Sequence, residues 1–277
     1  MKNPSIQKLF DLHGKVAIVT GSRNLGYDMA EALGGSGASV VITSRTADAA
    51  NEAARRLRDE SGIDACGMKL EVTDEDNWKQ VVSGTAERFG HIDILINNAG
   101  GRSPSYHHEG DGDDLSVNYI DARPLDLWRH TMDTNINGIF IGCKTVSPYM
   151  KKQGGGKIVN IASIDGMVGR DLRVYIDTGL SPTIPDYAAS KGAVISLTRA
   201  LATALAPSSI YVNCISPGGF FRNQPDAFVK NYSACIPLGR MGRDGIDIKG
   251  AALFLSCAAS DYVVGHNLVV DGGFTAW

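Results

Sequence analysis

The chain of 277 residues is long enough for one α/β domain or two small ones, and its 43% hydrophobic residues can form a sizeable core. A formal net charge of −3 provides neither the basic surface of a nucleic-acid-binding protein nor a polybasic patch for a membrane. Because no segment reaches the roughly 18 apolar residues of a membrane span, and residues 1–11 do not resemble a signal peptide, we expect a cytoplasmic protein.

Short β-branched runs alternate with longer helical patterns along the chain. The predicted strands are 15–20, 38–43, 65–70, 92–96, 157–162, 210–215 and 267–270. The predicted helical stretches are 25–35, 47–61, 75–89, 124–152, 187–205 and 246–258. This alternation predicts an α/β fold, with a doubly wound parallel sheet of about seven strands and helices on both faces. Since no linker divides the chain, we expect residues 1–277 to form a single Rossmann-type domain.

Two long irregular segments interrupt this pattern, at residues 101–121 and 166–186. Both follow strand ends, where open α/β sheets bind ligands, so both are candidate substrate loops. Solvated surface insertions are the alternative interpretation.

The five cysteines are odd in number and contain no C-x-x-C pair or His/Cys cluster. We therefore expect no disulfide framework and no metal site. Small buried side chains are the simpler interpretation of Cys66, Cys143, Cys214, Cys235 and Cys257.

The first predicted strand leads directly into a turn from Gly21 to Gly26 and then a helix. Backbone N–H groups at such a helix start can bind a pyrophosphate. The second strand ends in Ser44-Arg45 without a carboxylate, and Arg23 lies in the turn itself. These residues favour a 2′-phosphate, and hence NADP over NAD, unless Arg45 is only a solvated strand end.

Tyr187 and Lys191 lie one helical turn apart, on the same face of a predicted helix. A neighbouring ammonium favours the ionised phenol and lowers its pKa from about 10. A Tyr-x-x-x-Lys pattern alone is most often a surface pair. Three further features each have a structural explanation when taken alone: Ser163 at a strand end, the run Asn97 to Gly100, and Asn135 in a helical stretch. Together they favour a catalytic site.

In these motifs the chain resembles the short-chain dehydrogenase/reductase family over residues 12–274. The matching pieces are Val19-Thr20-Gly21, Asn97-Asn98-Ala99-Gly100, Asn135, Ser163, Tyr187 with Lys191, Ser216-Pro217-Gly218 and Val270-Asp271-Gly272-Gly273. The resemblance implies reversible hydride transfer between a nicotinamide and a secondary alcohol or ketone, with Tyr187 as general acid/base. Ser163 would bind the substrate oxygen, Lys191 would bind the nicotinamide ribose, and Asn135 would hold a water of a proton relay.

The resemblance also implies the cofactor-binding residues. They are Gly21, Arg23, Asn24, Gly26, Ser44, Arg45, Glu71, Val72, Asn97, Ala99, Gly100, Tyr187, Lys191, Pro217 and Gly218. Two departures stand out. The glycine turn is one residue shorter than the family's, with Asn24 in place of its middle glycine, and the 24 residues from Ser163 to Tyr187 are more than usual.

Within the family, the last third of the chain is most similar to members that act on sugars and sugar acids, such as gluconate 5-dehydrogenase-like enzymes. Arg102, His107, His108, Arg170 and Arg173 in the long loops are suited to substrate hydroxyls or a carboxylate. Another small carbonyl or a 3-oxoacyl thioester is the alternative substrate, and a non-catalytic nucleotide-binding regulator is the alternative of another class. The resemblance implies a homo-oligomer, a tetramer or dimer, in which the terminal Trp277 suits an interface.

Overall fold

Seven parallel strands form the sheet in the computed structural model, which describes residues 4–101, 120–180, 182 and 184–277. The strands lie in the order β3-β2-β1-β4-β5-β6-β7. They are β1 Val16–Thr20, β2 Ser39–Ser44, β3 Ala65–Lys69, β4 Ile94–Asn97, β5 Gly156–Ile161, β6 Ile210–Pro217 and β7 Asn267–Val270. The strand order reverses between β1 and β4, which opens a crevice at their carboxyl ends.

Helices connect the strands along the chain. They are α1 Ile6–Leu9, α2 Leu25–Gly35, α3 Ala47–Ser61, α4 Glu75–Phe89, α5 Leu125–Met132, α6 Gly138–Gln153, α7 Pro185–Leu205, α8 Asp226–Ala234 and α9 Lys249–Ser256. A π-helical turn, Asp133–Asn137, joins α5 to α6. Short 3₁₀ helices lie at Ile164–Gly166, Leu172–Tyr175, Ala206–Ser208 and Ala258–Ser260.

The core consists of two layers, one on each face of the sheet. Strand β1 is buried on both sides: Ala17 and Val19 face the layer of α2, α3 and α9, whereas Ile18 faces the layer of α4, α6 and α7. Strands that are covered on both faces need apolar side chains at every position, which explains their continuous hydrophobic runs.

A third, smaller cluster lies apart from the sheet. Val174 of the 3₁₀ helix Leu172–Tyr175 packs with Phe228 and Tyr232 of α8, and the ring of Phe274 stacks on Tyr232 with 5.2 Å between the centroids. This cluster attaches the second irregular loop to α8 and to the end of the chain.

The predicted fold class is confirmed by the seven-stranded parallel sheet and by the helices on both of its faces. Some boundaries differ. The stretch predicted as one helix over 124–152 contains the π turn, α9 is shorter than predicted, and α8 was not predicted. The predicted loop at 166–186 contains a 3₁₀ helix, whereas most of the loop at 101–121 lies outside the described residues. None of the described helices is both long and apolar enough to cross a bilayer.

Candidate active site

A cavity of about 580 Å³ lies at the carboxyl ends of the strands. Parallel pairing brings these ends to one edge of the sheet, since Thr20 is in register with Thr43, and Ile161 with Ile215. The turn after β1, the ends of β2 and β5, the start of α7 and the segment after β6 all contribute to its lining. Such a crevice is the usual ligand site of an open α/β sheet.

The turn after β1 has the geometry of a phosphate-binding loop. The N–H of Gly21 donates to the carbonyl oxygen of Thr43 at 3.0 Å, and Asn24, the N-cap of α2, has φ 53°. Asparagine adopts positive φ more readily than most residues, which explains how it serves in place of glycine. The open N-terminus of α2 faces the cavity and provides N–H groups for an anion.

Gly26 lies behind this turn rather than in the cavity lining. A Cβ at this position would lie 2.0 Å from the carbonyl oxygen of Gly21 and 2.6 Å from Nδ2 of Asn98. Close approach of two backbone segments, rather than contact with a ligand, therefore requires glycine here.

The turn is held to the neighbouring strand by Thr20 and Asn98. The Oγ1 atom of Thr20 accepts hydrogen bonds from the N–H groups of Asn98 and Ala99, both at 2.9 Å, and Nδ2 of Asn98 donates to the Thr20 carbonyl oxygen. Neither residue was predicted as a site residue, although both belong to the motifs that carry the family resemblance.

Ser44, Arg45 and Glu71 line one end of the cavity. Within the described ranges, neither Arg45 nor Arg23 has an ion-pair partner, so both guanidinium groups are available to an anion. The Glu71 carboxylate accepts a hydrogen bond from Oγ1 of Thr73 at 3.1 Å. Two cations and one carboxylate at this end suit a phosphorylated ribose beside an adenine.

Ser163, Tyr187 and Lys191 meet at the other end of the cavity. Ser163 caps the 3₁₀ helix Ile164–Gly166, and its Oγ accepts from the N–H of Asp165 at 3.2 Å. The Nζ of Lys191 lies 5.7 Å from the centroid of the Tyr187 ring. The predicted i, i+4 relationship thus places the ammonium beside the phenol, where it favours the ionised form.

Burial lowers the pKa of Lys191 to about 8, because removal from water disfavours the charged form. The Nζ donates a hydrogen bond to the carbonyl oxygen of Ile161 at 2.7 Å, which partly replaces the lost water. The side chain therefore remains mostly an ammonium at neutral pH and titrates only slightly above it.

Asn135 is fully buried in the π turn and does not line the cavity. Its Oδ1 accepts from the N–H of Gly101 at 2.8 Å, while its Nδ2 donates to the Gly101 carbonyl oxygen and to Oγ of Ser190. One amide thus links the segment just after β4 to α7, about one turn beyond Tyr187. A π turn often occurs at such functional positions.

Asn97 was predicted as a cofactor residue, but its side chain is buried away from the cavity. Its Nδ2 donates to Oδ1 of Asn160 at 2.9 Å, and Nδ2 of Asn160 donates to Oγ1 of Thr198. The physical reason is that consecutive side chains of a strand point to opposite faces, so Asn98 and not Asn97 approaches the β1 turn.

Of the other predicted cofactor residues, all except Gly26 line the cavity. Further residues of the lining were not predicted. They are Ser22, Leu25, Thr43, Leu70, Asn98, Gly101, His130, Thr131, Thr134, Ile161, Ala162, Phe220 and Arg222. Most of them, including Thr134 next to Asn135, lie close in sequence to a predicted residue, which was the available signal, whereas His130 and Thr131 reach the cavity only through the packing of α5.

The loop arginines were predicted to contact substrate, but both that are described lie outside the cavity lining. Arg170 forms a buried ion pair with Asp165 and lies over the Tyr232 ring, and exposed Arg173 pairs with Asp171 at 2.7 Å. Each guanidinium finds a carboxylate of its own segment. Arg102, His107 and His108 lie outside the described residues.

Comparison with known proteins agrees with this geometry. A family model described as enoyl-(acyl carrier protein) reductase matches residues 19–275. The 5-keto-D-gluconate 5-reductase of Escherichia coli (strain K12) is 35% identical over 274 residues, covering 96% of this chain and 97% of the relative.

Solved structures are similar over nearly the whole chain. A gluconate 5-dehydrogenase from Burkholderia cenocepacia J2315, in complex with NADP and tartrate, has a TM-score of 0.84 at 34% identity, with 99% of this chain and 100% of that chain covered. A short-chain type dehydrogenase/reductase from Mycobacterium marinum has a TM-score of 0.83 at 32% identity, with the same coverage. The chain therefore belongs to the short-chain dehydrogenase/reductase family of NAD(P)-dependent oxidoreductases.

Proposed function

We propose that this protein is an NADP-preferring dehydrogenase/reductase that interconverts a secondary alcohol and a ketone on a sugar acid, with Tyr187 as the general acid/base. The observation that carries the proposal is one cavity lined both by the phosphate turn with Arg45 and by Ser163, Tyr187 and Lys191. A phosphate-binding end and a proton-transfer end in one crevice suit hydride transfer to or from a bound dinucleotide.

In the oxidative direction, the Tyr187 phenolate accepts the hydroxyl proton of the alcohol, and in reduction the phenol returns a proton to the carbonyl oxygen. Bound NADP supplies the hydride acceptor, and NADPH the donor. The Ser163 hydroxyl donates to the substrate oxygen and stabilises the ionised phenol. Lys191 binds the nicotinamide ribose and lowers the Tyr187 pKa, because its ammonium lies beside the ring.

Asn135 connects this site to a proton relay through a water next to Lys191. Both hydrogens of its Nδ2 are already donated, to Gly101 and Ser190, so the side-chain NH₂ has no hydrogen left to donate to that water. The amide also keeps Gly101 and α7 together, which positions Tyr187.

The residues present fit NADP. Arg45 and Arg23 have no ion-pair partner in the part of the chain that is described, and Ser44 adds a hydroxyl at the same end of the cavity. A carboxylate at the end of β2, which would repel a 2′-phosphate, is absent from Ser44-Arg45. The gluconate 5-dehydrogenase with TM-score 0.84 is a complex with NADP, which supports the same cofactor.

A sugar acid is supported as the substrate class by the names of the relatives, 5-keto-D-gluconate 5-reductase and gluconate 5-dehydrogenase. Because Arg170 and Arg173 are paired with aspartates, a substrate carboxylate needs another partner. Cavity residues that can donate to hydroxyls or to a carboxylate include His130 and Thr134.

The test is turnover with matched substrates. NADPH oxidation is measured with a keto sugar acid, a simple ketone and a 3-oxoacyl thioester, and NADP reduction with gluconate. We expect the highest kcat/KM with the sugar acid, and a loss of about 10²-fold or more in Tyr187→Phe, the size of a missing general acid/base.

Tyr262→Phe is the matched control, since Tyr262 is fully exposed and lies outside the cavity lining. Full activity of Tyr187→Phe would refute the mechanism. Tight NADPH binding without turnover of any substrate would instead favour the regulatory alternative, and a preference for the thioester would replace the sugar-acid assignment.

We also propose a cytoplasmic homo-oligomer, a tetramer or dimer. Trp277 supports self-association. Its indole N–H donates to the Cys235 carbonyl oxygen, but most of its side chain is exposed and can contact a second copy. Light scattering coupled to size-exclusion chromatography tests it, and a monomer at micromolar concentration would refute it.

A further inference from the structure

A buried ion pair lies directly beside the proposed general acid/base. Asp186, the residue before Tyr187 in the first turn of α7, is fully buried, and the Arg123 side chain is only 4% exposed. Nη2 of Arg123 donates to Oδ2 of Asp186 at 2.6 Å. Charges buried so completely need mutual compensation, because water no longer solvates them.

Thr131 adds a further hydrogen bond to this pair. Its Oγ1 donates to the same Oδ2 of Asp186 at 2.5 Å, while Thr131 itself lines the cavity from α5. Among the described residues, three separate parts of the chain thus meet at one carboxylate: α5, the residues just before it, and the first turn of α7. Because groups in and just before α5 hold this carboxylate, it sets the distance between α5 and the start of α7. The position of the Tyr187 side chain in the cavity depends on that distance.

Stability alone is a weak explanation for the pair. A buried ion pair seldom stabilises a fold more than well-packed apolar residues of similar volume would. Because the pair adjoins Tyr187, its charges also affect the proposed acid/base. An unbalanced charge there would change the pKa of the Tyr187 phenol.

We propose that Arg123 and Asp186 are positioning residues for Tyr187, and that their opposite charges keep the surroundings of its phenol electrically balanced. The inference rests on the proposed acid/base role of Tyr187.

Other titratable or charged groups also face this region. Lys191 lies on α7, His130 on α5, and Asp165 with its partner Arg170 next to the 3₁₀ helix that packs on α7. The variants below leave all four unchanged.

The pH profile of alcohol oxidation separates positioning from stability. Asp186→Asn removes one negative charge next to the Arg123 guanidinium, so the net charge beside Tyr187 becomes more positive, which favours the phenolate. We expect the rising limb of log kcat/KM to move about 0.5 to 1 unit to lower pH. In the double variant R123M/D186N both charges are absent, so the limb should return to the wild-type pH, while kcat stays reduced by about 10-fold because the geometric contact is lost.

Asp226→Asn is the matched control, because Asp226 is also in the first turn of a helix, α8, but is exposed. Arg123→Lys keeps the charge pair. The rising limb of this variant should therefore stay at the wild-type pH even if its kcat is lower. NADPH affinity, measured by calorimetry, should be within about 2-fold of wild type in all folded variants, since neither residue lines the cavity.

Rates that fall equally at all pH values in Asp186→Asn, with no movement of the limb, would show a structural role only and overturn the inference. If Asp186→Asn does not fold, Arg123→Met decides: it removes the positive charge instead, so the rising limb should move to higher pH, and an unmoved limb in that variant overturns the inference. Failure of the proposed function is a separate result, namely an active Tyr187→Phe.

Discussion

Nζ of Lys191 in α7 donates a hydrogen bond to the carbonyl oxygen of Ile161, the last residue of β5, at 2.7 Å. Ser163 follows this strand by two residues, and Tyr187 precedes Lys191 by one helical turn. The bond therefore sets the helix that carries the phenol against the strand that carries the hydroxyl. A single buried ammonium both aligns the two proposed catalytic groups and places a positive charge near the Tyr187 ring.

The charge of Lys191 makes cofactor binding dependent on pH. Because burial lowers its pKa to about 8, the free protein loses this cation as pH rises from about 7 to 9. An anionic cofactor binds better next to an ammonium, so affinity for NADPH should fall as pH rises through this range, by up to about 10-fold. Fluorescence titration of NADPH between pH 6.5 and 9.5 measures it.

Lys191→Met should bind NADPH weakly and with little change across the same pH range. The titrating ammonium is absent from this variant, so the pH dependence of binding should be absent as well. An unchanged affinity of the wild-type protein from pH 7 to 9 would contradict this role of Lys191.

Arg45 should select between the two dinucleotides. Arg45→Gln removes the guanidinium expected to bind the 2′-phosphate, so Kd for NADPH should rise about 10- to 100-fold, the size of one charge-assisted hydrogen bond. Kd for NADH should change less than about 2-fold, because NADH has no 2′-phosphate. Calorimetry with both cofactors checks this.

Arg55→Gln provides the comparison for Arg45, since Arg55 is an exposed arginine paired with Glu52 on α3. An equal loss of affinity for NADPH and NADH would assign Arg45 to a part of the site that the two cofactors share. If the affinity for neither cofactor falls, Arg45 is only a solvated residue at the end of β2.

Gly26→Ala should disrupt the phosphate turn. Its Cβ would meet the Gly21 carbonyl oxygen at 2.0 Å, and backbone atoms cannot move aside as a flexible side chain can. We expect a loss of about 1–3 kcal/mol in the free energy of unfolding and at least about 10-fold weaker NADPH binding. Urea denaturation and calorimetry measure the two effects.

Gly35→Ala in the same helix tests whether the geometry is responsible. A Cβ at Gly35 meets nothing within 4 Å, so alanine there should stabilise slightly, by up to about 1 kcal/mol. Similar losses in both variants would show that the close approach at Gly26 is not the cause.

Two of the cysteines should resist alkylation in the native protein. Burial raises the pKa of Cys143 to about 12 and that of Cys214 to about 11, so at pH 8 neither forms a reactive thiolate. Cys66 and Cys235 are partly exposed and are the expected sites of slow labelling. Mass spectrometry after iodoacetamide treatment, with and without denaturant, locates the modified residues; rapid native labelling of Cys143 would contradict its burial.

Local patterns in the sequence were sufficient for much of the fold and for the centre of the candidate site. Continuous apolar runs identified the buried parallel strands, since covered strands need apolar side chains at every position. The i, i+4 spacing of Tyr187 and Lys191 predicted their proximity because a helix repeats every 3.6 residues. Ser163 joined them because the carboxyl ends of parallel strands share one edge of the sheet.

The tertiary structure decided what depends on contacts between distant segments. Whether Asn97 or Asn98 approaches the β1 turn depends on which face of β4 each side chain occupies, and that follows from packing against β5. The loop arginines were available in sequence, but packing paired Arg170 with Asp165. Arg123 and Asp186 are 63 residues apart, and no local period relates them. A chain encodes its helices and strands within a few residues, whereas the partner of a buried charge is determined only when those elements pack together.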